Sequence, residues 1–303
     1  MTQITRDGKY MDIVEKALYN TVVSGIAMDG KSFFYVNPLE VWPDNCLPRT
    51  SKEHVKSVRQ KWFGVACCPP NIARTLASLG EYAYSQTEDS LWVNLFISGK
   101  VTVKIKEKNV IIICKTSFPY DGKITLTIEG NKDIEFELAV RIPGYVNDYS
   151  ISLDGDEFDK KYYDKGHAYL KINVHKQIEI QFSILPKFIH ANPMVREDSG
   201  KVAIEKGPLV YCIEEIDNGS NLPAYFVDTK QLINEEYRDD ILNGTTILKF
   251  KGKKISQDNW ETDELYKETD IIWEEKELTA VPYCYWGNRT HGEMLVWMKE
   301  LFT

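Results

Sequence analysis

Two adjacent cysteines, Cys67 and Cys68, are the most unusual chemical feature of the sequence. They lie in the segment 61–71, which reads KWFGVACCPPN, and the two prolines that follow them suit the first turn of a helix. The free N–H groups and the positive dipole end at a helix N-terminus lower the pKa of a nearby thiol. Because a thiolate is both a nucleophile and a metal ligand, the pair predicts nucleophilic or metal-binding chemistry.

The pair alone does not decide between a chemical and a structural role. Structural zinc normally has four protein ligands, and the sequence contains no Cys-x-x-Cys and no pair of histidines at ligand spacing. A buried, inert thiol is a common state of an unpaired cysteine. The residues therefore leave three interpretations open: inert cysteines, a catalytic or metal-binding pair, and a vicinal-thiol redox or metal-sensing pair.

Helices are predicted on both sides of a central loop in the first 85 residues. Apolar residues recur at helical spacing in residues 12–25, and a second helix is predicted to begin after Cys68. Between them, residues 33–38 (FFYVNP) are predicted to be extended. The apolar stripes of these helices need further helices to cover them, so this part resembles the remnant of a larger helical domain.

From about residue 91 the apolar period changes from helical spacing to two, which is typical of β-strands. Short strands broken by Gly, Asp and Asn turns predict an antiparallel sandwich. The predicted strands are residues 91–97, 101–105, 110–114, 124–128, 136–142, 168–172 and 178–182. A second β-rich block begins near residue 188 with strands at 201–204 and 209–213, and its polar middle, 228–242, is predicted to hold a short helix.

Charge and composition exclude several function classes. The formal net charge is −8 and no basic run interrupts it, so a nucleic acid or an anionic membrane is a poor partner. No apolar run approaches the roughly 18 residues of a membrane span, and the first residues lack the apolar core of a signal peptide. Six widely spread cysteines in a chain of 303 residues do not resemble a disulfide framework. A reducing, cytoplasmic location is therefore expected.

A set of motifs resembles the β-L-arabinofuranosidase family of glycoside hydrolases. The N-terminal motifs are EKALYN from Glu15, GIAMDGK from Gly25, FYVNPLE from Phe34, and WFG followed by ACCPPNIAR within residues 62–74. Further motifs are FPYDGK (118–123), RIPG (141–144), GKVAI (200–204), GPLVY (207–211) and WGNR (286–289). They follow the family's order over nearly the whole chain.

This resemblance implies an (α/α)6 barrel followed by two β-sandwich domains. Residues 1–88 are then the C-terminal remnant of the barrel, 89–187 a β-sandwich, and 188–303 a second sandwich-like domain. The family hydrolyses terminal β-L-arabinofuranosyl groups with retention, and the expected partner is an L-arabinofuranose-containing oligosaccharide or glycoconjugate.

The same resemblance assigns roles to four residues. It implies that Cys67 is the nucleophile and a zinc ligand, and that Cys68 is a second zinc ligand. Tyr35 and Glu15 fall in segments that line the family's sugar pocket, and both are predicted substrate contacts.

One departure from the family pattern concerns the rest of the catalytic centre. The family's other zinc ligands form an upstream Glu-x-Cys motif, and the acid/base glutamate lies further upstream; no Glu-x-Cys occurs in these 303 residues. The chain is therefore expected to be inactive or nearly inactive alone, and to associate with an upstream barrel fragment or with itself. The alternative is a non-catalytic β-sandwich accessory or sugar-binding protein.

Overall fold

The computed structural model describes residues 1–130, 134–157 and 162–302. Its backbone contacts divide the chain into two compact units. The first unit contains Met1–Tyr19 and Pro70–Leu185, and the second contains Asn20–Pro69 and Pro186–Thr303. The chain is mostly β, with few helices and several sheets, as the period-two pattern predicted.

The helices are short and concentrated before residue 84. In chain order they are α1 (Thr2–Thr5), α2 (Lys9–Ala17), α3 (Cys68–Ala77), α4 (Leu79–Ala83) and α5 (Glu215–Asn218). The helix predicted over residues 12–25 begins earlier, and after Ala17 it continues as a π-helical turn, Leu18–Val22. The predicted helix after the cysteines begins at Cys68 itself. It ends at Ala77, before α4 begins at Leu79, and both the backbone N–H and the hydroxyl of Ser78 donate to the Arg74 carbonyl.

No helix within the described ranges is long and apolar enough to cross a membrane. Helix α3 contains no buried residue, and Leu76 on its predicted apolar face is exposed.

Strands account for most of the remaining structure. In chain order they are β1 (Glu40–Val41), β2 (Tyr84–Gln86), β3 (Ser90–Val93), β4 (Gly99–Ile105), β5 (Lys108–Thr116), β6 (Lys123–Gly130), β7 (Glu135–Arg141), β8 (Asp148–Leu153), β9 (Asp156–Glu157), β10 (Tyr163–Asp164), β11 (His167–Asn173), β12 (Lys176–Ser183), β13 (Pro186–His190), β14 (Lys201–Lys206), β15 (Leu209–Glu214), β16 (Tyr225–Val227), β17 (Asn234–Arg238), β18 (Thr245–Ile255), β19 (Trp273–Pro282), β20 (Met294–Leu295) and β21 (Met298–Glu300).

The first unit is built around two sheets that share one core. One sheet has the strand order β10-β11-β7-β3-β2 and the other β4-β5-β6-β12-β8-β9. Strand β6 shows how the sequence specifies this: Ile124, Leu126 and Ile128 are buried, while the residues between them are more exposed. Leu138 of β7 belongs to the same core. The predicted sandwich is present, and its described pairings are antiparallel except for β3 with β7, which is parallel.

The second unit contains a single hydrogen-bonded sheet of ten strands in the described part of the chain. Its order is β1-β20-β15-β19-β18-β16-β21-β14-β13, with β17 also pairing with β18. The β-rich prediction is confirmed here, although hydrogen bonds join the strands into one sheet where two separate sheets were expected. The core of this unit includes Phe34 and Trp286, whose rings stack with centroids 4.3 Å apart.

The short helix predicted within residues 228–242 is wrong. Strand β17 occupies the middle of this segment and pairs antiparallel with the first half of β18. Its polar composition suits a strand with one face in water, and Glu236 forms an ion pair with Lys249 of β18 at 2.6 Å. Pairing with β18, the next strand along the chain, decides the conformation of this segment.

Candidate functional site

The two adjacent thiols lie close together at the surface of the second unit. Cys68 is the first residue of α3, and its sulfur lies 3.8 Å from the sulfur of Cys67. Cys67 is exposed and Cys68 is half-buried, and neither forms a disulfide. The pair is thus accessible to a ligand, which excludes the interpretation of both cysteines as buried core thiols.

Tyr35 lies beside this pair. Its backbone carbonyl is 4.0 Å from the sulfur of Cys68, and its ring packs against Phe63 with centroids 5.7 Å apart. Phe63 also packs against Phe33, and reciprocal 2.9 Å backbone hydrogen bonds join Phe33 to Gln60. These contacts hold the segment before the cysteines against the segment that carries Tyr35. The ring of Tyr35 remains 41% exposed, so it can also contact a ligand.

The pKa of the Cys68 thiol differs from the sequence-based prediction. A helix N-terminus was expected to lower it, but burial and the contact with the Cys67 thiol raise it above its ordinary value. These two effects outweigh the hydrogen bond from its own backbone N–H, which acts in the opposite direction. A nearby positive charge would act against these effects and favour the thiolate.

The spacing of the sulfurs fits part of a zinc site. Two sulfurs that are each about 2.3 Å from a tetrahedral zinc ion lie about 3.8 Å apart, which equals the separation observed here. Across residues 1–130, 134–157 and 162–302, however, no group of three or more His, Cys, Asp and Glu side chains is placed to hold a metal ion. Cys67 and Cys68 thus fit two corners of a tetrahedral site, and the described residues do not supply the other two.

The fourth predicted site residue, Glu15, is placed quite differently. It belongs to the first unit and has no exposed surface. Its carboxylate lies 2.6 Å from a guanidinium nitrogen of Arg141 and accepts a 2.5 Å hydrogen bond from the hydroxyl of Tyr145. Glu15 is thus buried within its own unit, where its carboxylate contacts Arg141 and Tyr145, and its predicted sugar contact stays a prediction.

Asp12 completes what we call the buried ionic cluster: Asp12, Glu15, Arg141 and Tyr145. The Asp12 carboxylate lies 2.5 Å from Arg141 and accepts a 3.0 Å hydrogen bond from the N–H of Gly144. Helix α2 is thereby joined to the end of β7. Burial raises the pKa of Glu15 against the opposing effects of Arg141 and Tyr145, whereas the two carboxylates keep Arg141 cationic despite its complete burial.

Sequence reasoning missed the roles of Arg141 and Tyr145. The segment RIPG was noted only as a family motif, and the partners are separated by about 130 positions along the chain. An arginine at the end of an apolar strand was the one available signal, because a buried cation needs an acidic partner.

Three family models match consecutive parts of the chain. Residues 1–81 match the catalytic domain of glycoside hydrolase family 127 β-L-arabinofuranosidases. Residues 90–185 match the family's middle domain, and residues 186–299 match its C-terminal domain.

Proteins of the same family resemble the chain throughout. A non-reducing end β-L-arabinofuranosidase from Bifidobacterium longum subsp. longum is 33% identical over 99% of this chain and 47% of its own length. The crystal structure of a family 127 β-L-arabinofuranosidase from Geobacillus stearothermophilus T6 superposes with a TM-score of 0.93 at 40% identity, over 99% of this chain and 48% of that chain. A further family 127 β-arabinofuranosidase structure gives a TM-score of 0.86 at 29% identity, over 99% of this chain and 47% of that chain.

The fold is that of a β-L-arabinofuranosidase-like glycoside hydrolase. The chain belongs to glycoside hydrolase family 127. It spans about half the length of the relatives it matches.

Proposed function

We propose that this chain contributes the nucleophile of a retaining glycoside hydrolase that removes terminal β-L-arabinofuranosyl groups, with Cys67 as that nucleophile. The observation that carries the proposal is the exposed thiol pair, with sulfurs 3.8 Å apart, beside the half-exposed ring of Tyr35. The activities of the relatives support the proposed substrate class, an oligosaccharide or glycoconjugate that bears L-arabinofuranose.

The proposed reaction has two displacements. In the first, the Cys67 thiolate attacks the anomeric carbon, a C–S bond forms, and the C–O bond to the leaving group breaks with its electron pair on oxygen. In the second, water attacks the same carbon, releases a proton, and the thiolate departs. Two inversions at one carbon give retention. Tyr35 is the proposed substrate contact, through the exposed part of its ring.

Cys68 is the proposed second ligand of a zinc ion shared with Cys67. When bound, zinc supplies the positive charge that holds both thiols in the thiolate form. Burial and the Cys67 thiol raise the pKa of the Cys68 thiol, and a bound cation would act in the opposite direction. Reduced thiols are also required, so a reducing, cytoplasmic location remains part of the proposal.

The same proposal predicts little or no hydrolysis by these 303 residues alone. They contain no Glu-x-Cys motif, and two sulfurs hold zinc weakly compared with four ligands. A missing general acid costs roughly 10²–10⁴-fold in rate. We further propose that residues 1–88 are part of an (α/α)6 barrel, followed by domains at 89–187 and 188–303. The exposed apolar positions of α3 support packing against further barrel helices.

Hydrolysis of 4-nitrophenyl β-L-arabinofuranoside with added zinc tests this proposal. Nitrophenolate leaves readily without protonation, so this substrate reduces the cost of a missing general acid and exposes the nucleophilic step. We expect a slow, zinc-dependent release of nitrophenolate that disappears in Cys67→Ser and persists in Cys46→Ser, the matched control for a cysteine outside the thiol pair. Measurable release by the wild-type chain that is equally fast in folded Cys67→Ser would contradict the role of Cys67.

A further inference from the structure

Two neighbouring cavities on the second unit share Asn221, Pro223 and Gln257 as lining residues. One has a volume of about 390 Å³ and is bounded by Trp42. The other has a volume of about 780 Å³ and is bounded by Trp260. Both volumes are in the range of small-ligand sites. Because they share three residues, the two cavities adjoin, and we call the pair the Trp42–Trp260 groove.

Hydrogen bonds of β1 and Glu293 position the backbone at the Trp42 end of the groove. Trp42 directly follows β1, which pairs with β20, and Glu293 directly precedes β20 on the opposite side of this ladder. The Glu293 carboxylate accepts 2.8 Å hydrogen bonds from the N–H groups of Asn221 and Leu222. The indole of Trp42 is nevertheless 55% exposed. The backbone of Trp42 is thus positioned beside the cavity, and its side chain is not buried in the core.

The Trp260 end is fixed by a turn. The backbone N–H of Trp260 donates to the carbonyl of Gln257 at 2.9 Å. Ser256, which precedes Gln257, is buried, and its backbone N–H donates to the carbonyl of Ile272. The Lys267 ammonium lies 4.9 Å from the centre of the Trp260 ring and packs on the indole. The position of this second indole is therefore set before any ligand binds.

The chemistry of the lining selects a class of ligand. Indole rings pack against the apolar C–H faces of sugars, while the amides of Asn221 and Gln257 can donate to and accept from hydroxyl groups. The carboxylates of Glu40 and Glu261 also line the groove and can accept hydroxyl protons. Their negative field disfavours an anionic ligand.

From these observations the geometry points to a binding site for a neutral oligosaccharide in the Trp42–Trp260 groove. An oligosaccharide fits better than a single sugar, because each of the two adjoining cavities is lined by one indole. None of the residues in this argument belongs to the thiol site, so the inference does not depend on the proposed hydrolytic function.

Isothermal titration of the full chain with a short neutral arabino-oligosaccharide tests the site, with an oligogalacturonide of equal length as the anionic comparison. We expect the neutral ligand to bind and the anionic ligand to bind markedly more weakly. Trp42→Ala and Trp260→Ala should each weaken binding by roughly 10-fold, from lost aromatic contact area. Tyr266→Ala is the matched control, because this aromatic lies near Trp260 in sequence and is 92% exposed.

The Cys67→Ser chain separates this site from the thiol pair, since it should bind the neutral ligand with unchanged affinity. Circular dichroism and thermal melting of each variant establish that it is folded. The inference is overturned if the folded wild-type chain does not bind the neutral ligand, if neither tryptophan substitution weakens binding, or if the anionic ligand binds equally well. Loss of binding in Cys67→Ser would likewise overturn it, because the ligand would then occupy the thiol site.

Discussion

The buried ionic cluster and the thiol pair provide opposite environments for residues that the sequence assigned to one sugar pocket. Glu15 has no exposed surface, and both of its carboxylate oxygens have partners. Cys67 is exposed, and its sulfur lies 3.8 Å from the sulfur of Cys68. A family motif identifies both segments equally well. The contacts show which side chain is committed to structure and which is accessible for chemistry.

The difference has an energetic basis. A buried carboxylate is stable only while an opposite charge or hydrogen bonds compensate for its lost hydration. Removing one partner therefore leaves a buried unpaired group and lowers the free energy of unfolding. An exposed thiol makes weak hydrogen bonds and loses little when replaced by a hydroxyl of similar shape. Substitutions in the cluster should therefore change stability, whereas substitutions in the thiol pair should change chemistry.

The largest effect is expected from Arg141→Met. This change leaves the Glu15 and Asp12 carboxylates without their cation and should lower the free energy of unfolding by about 3–5 kcal/mol. The midpoint of urea denaturation measures it. Arg238→Met is the matched control: Arg238 pairs with Asp240 at the surface, and its loss should cost less than about 1 kcal/mol. Equal effects of the two substitutions would show that the buried ionic cluster does not stabilise the first unit as we describe.

A smaller effect is expected from Tyr145→Phe. It removes only the hydroxyl that donates to Glu15, so the loss should be about 1.5–3 kcal/mol, as for a hydrogen bond to a charged group. In the Glu15→Gln background the same change should cost less, because the charge-assisted bond is already gone. Full additivity in this double-mutant cycle would argue against direct coupling of the two side chains.

The buried histidine of the first unit predicts a pH effect. Burial lowers the pKa of His167 below its ordinary 6.5, so the folded chain binds fewer protons than the unfolded chain as the pH falls through that value. Its contribution to stability is complete above about pH 6.5 and is lost progressively below it.

The denaturation midpoint of the wild-type chain should therefore decrease between about pH 7 and about pH 5. This decrease should be larger than the one measured for His167→Gln. The comparison isolates the histidine, because the raised pKa of Glu15 acts in the opposite sense and is common to both chains. The exposed His54→Gln is the control and should behave like the wild type. An unchanged pH dependence in His167→Gln would exclude this histidine as the source.

The smallest effect on stability is expected in the thiol pair. Cys67→Ser and Cys68→Ser should each change the free energy of unfolding by no more than about 0.5 kcal/mol, because both sites are at least partly exposed. Zinc retention in equilibrium dialysis against a zinc-containing buffer should nevertheless fall in both variants relative to Cys46→Ser. A large loss of stability without a change in zinc retention would make the thiols structural.

Local patterns in the sequence predicted much of the fold. Alternating apolar residues, such as Ile124, Leu126 and Ile128, placed the strands of the sandwich, and the prolines after Cys68 marked the start of α3. The polar edge strand β17 was mistaken for a helix, because its sequence lacks the apolar alternation that marks a half-buried strand. The grouping of residues 20–69 with the C-terminal sheet depends on long-range contacts that no local pattern contains.

The candidate site was predictable to a similar extent. The adjacent cysteines and the Tyr35 segment were found from their motifs, and the structure brings them together. The contacts of Glu15 with Arg141 and Tyr145 were not, because a single sequence does not show which distant charges meet in the core. The groove beside Trp42 was missed for the same reason, since its lining residues come from separate segments of the second unit.

The central claim, that Cys67 is the group that reacts with the sugar, is tested most directly by trapping the covalent intermediate. The chain is incubated with 4-nitrophenyl β-L-arabinofuranoside and zinc, quenched in acid, digested and analysed by mass spectrometry. Our account predicts one added pentosyl group on the peptide that contains the thiol pair, absent from Cys67→Ser and present in Cys46→Ser. A pentosyl group on any other peptide, or its persistence in Cys67→Ser, would contradict the account.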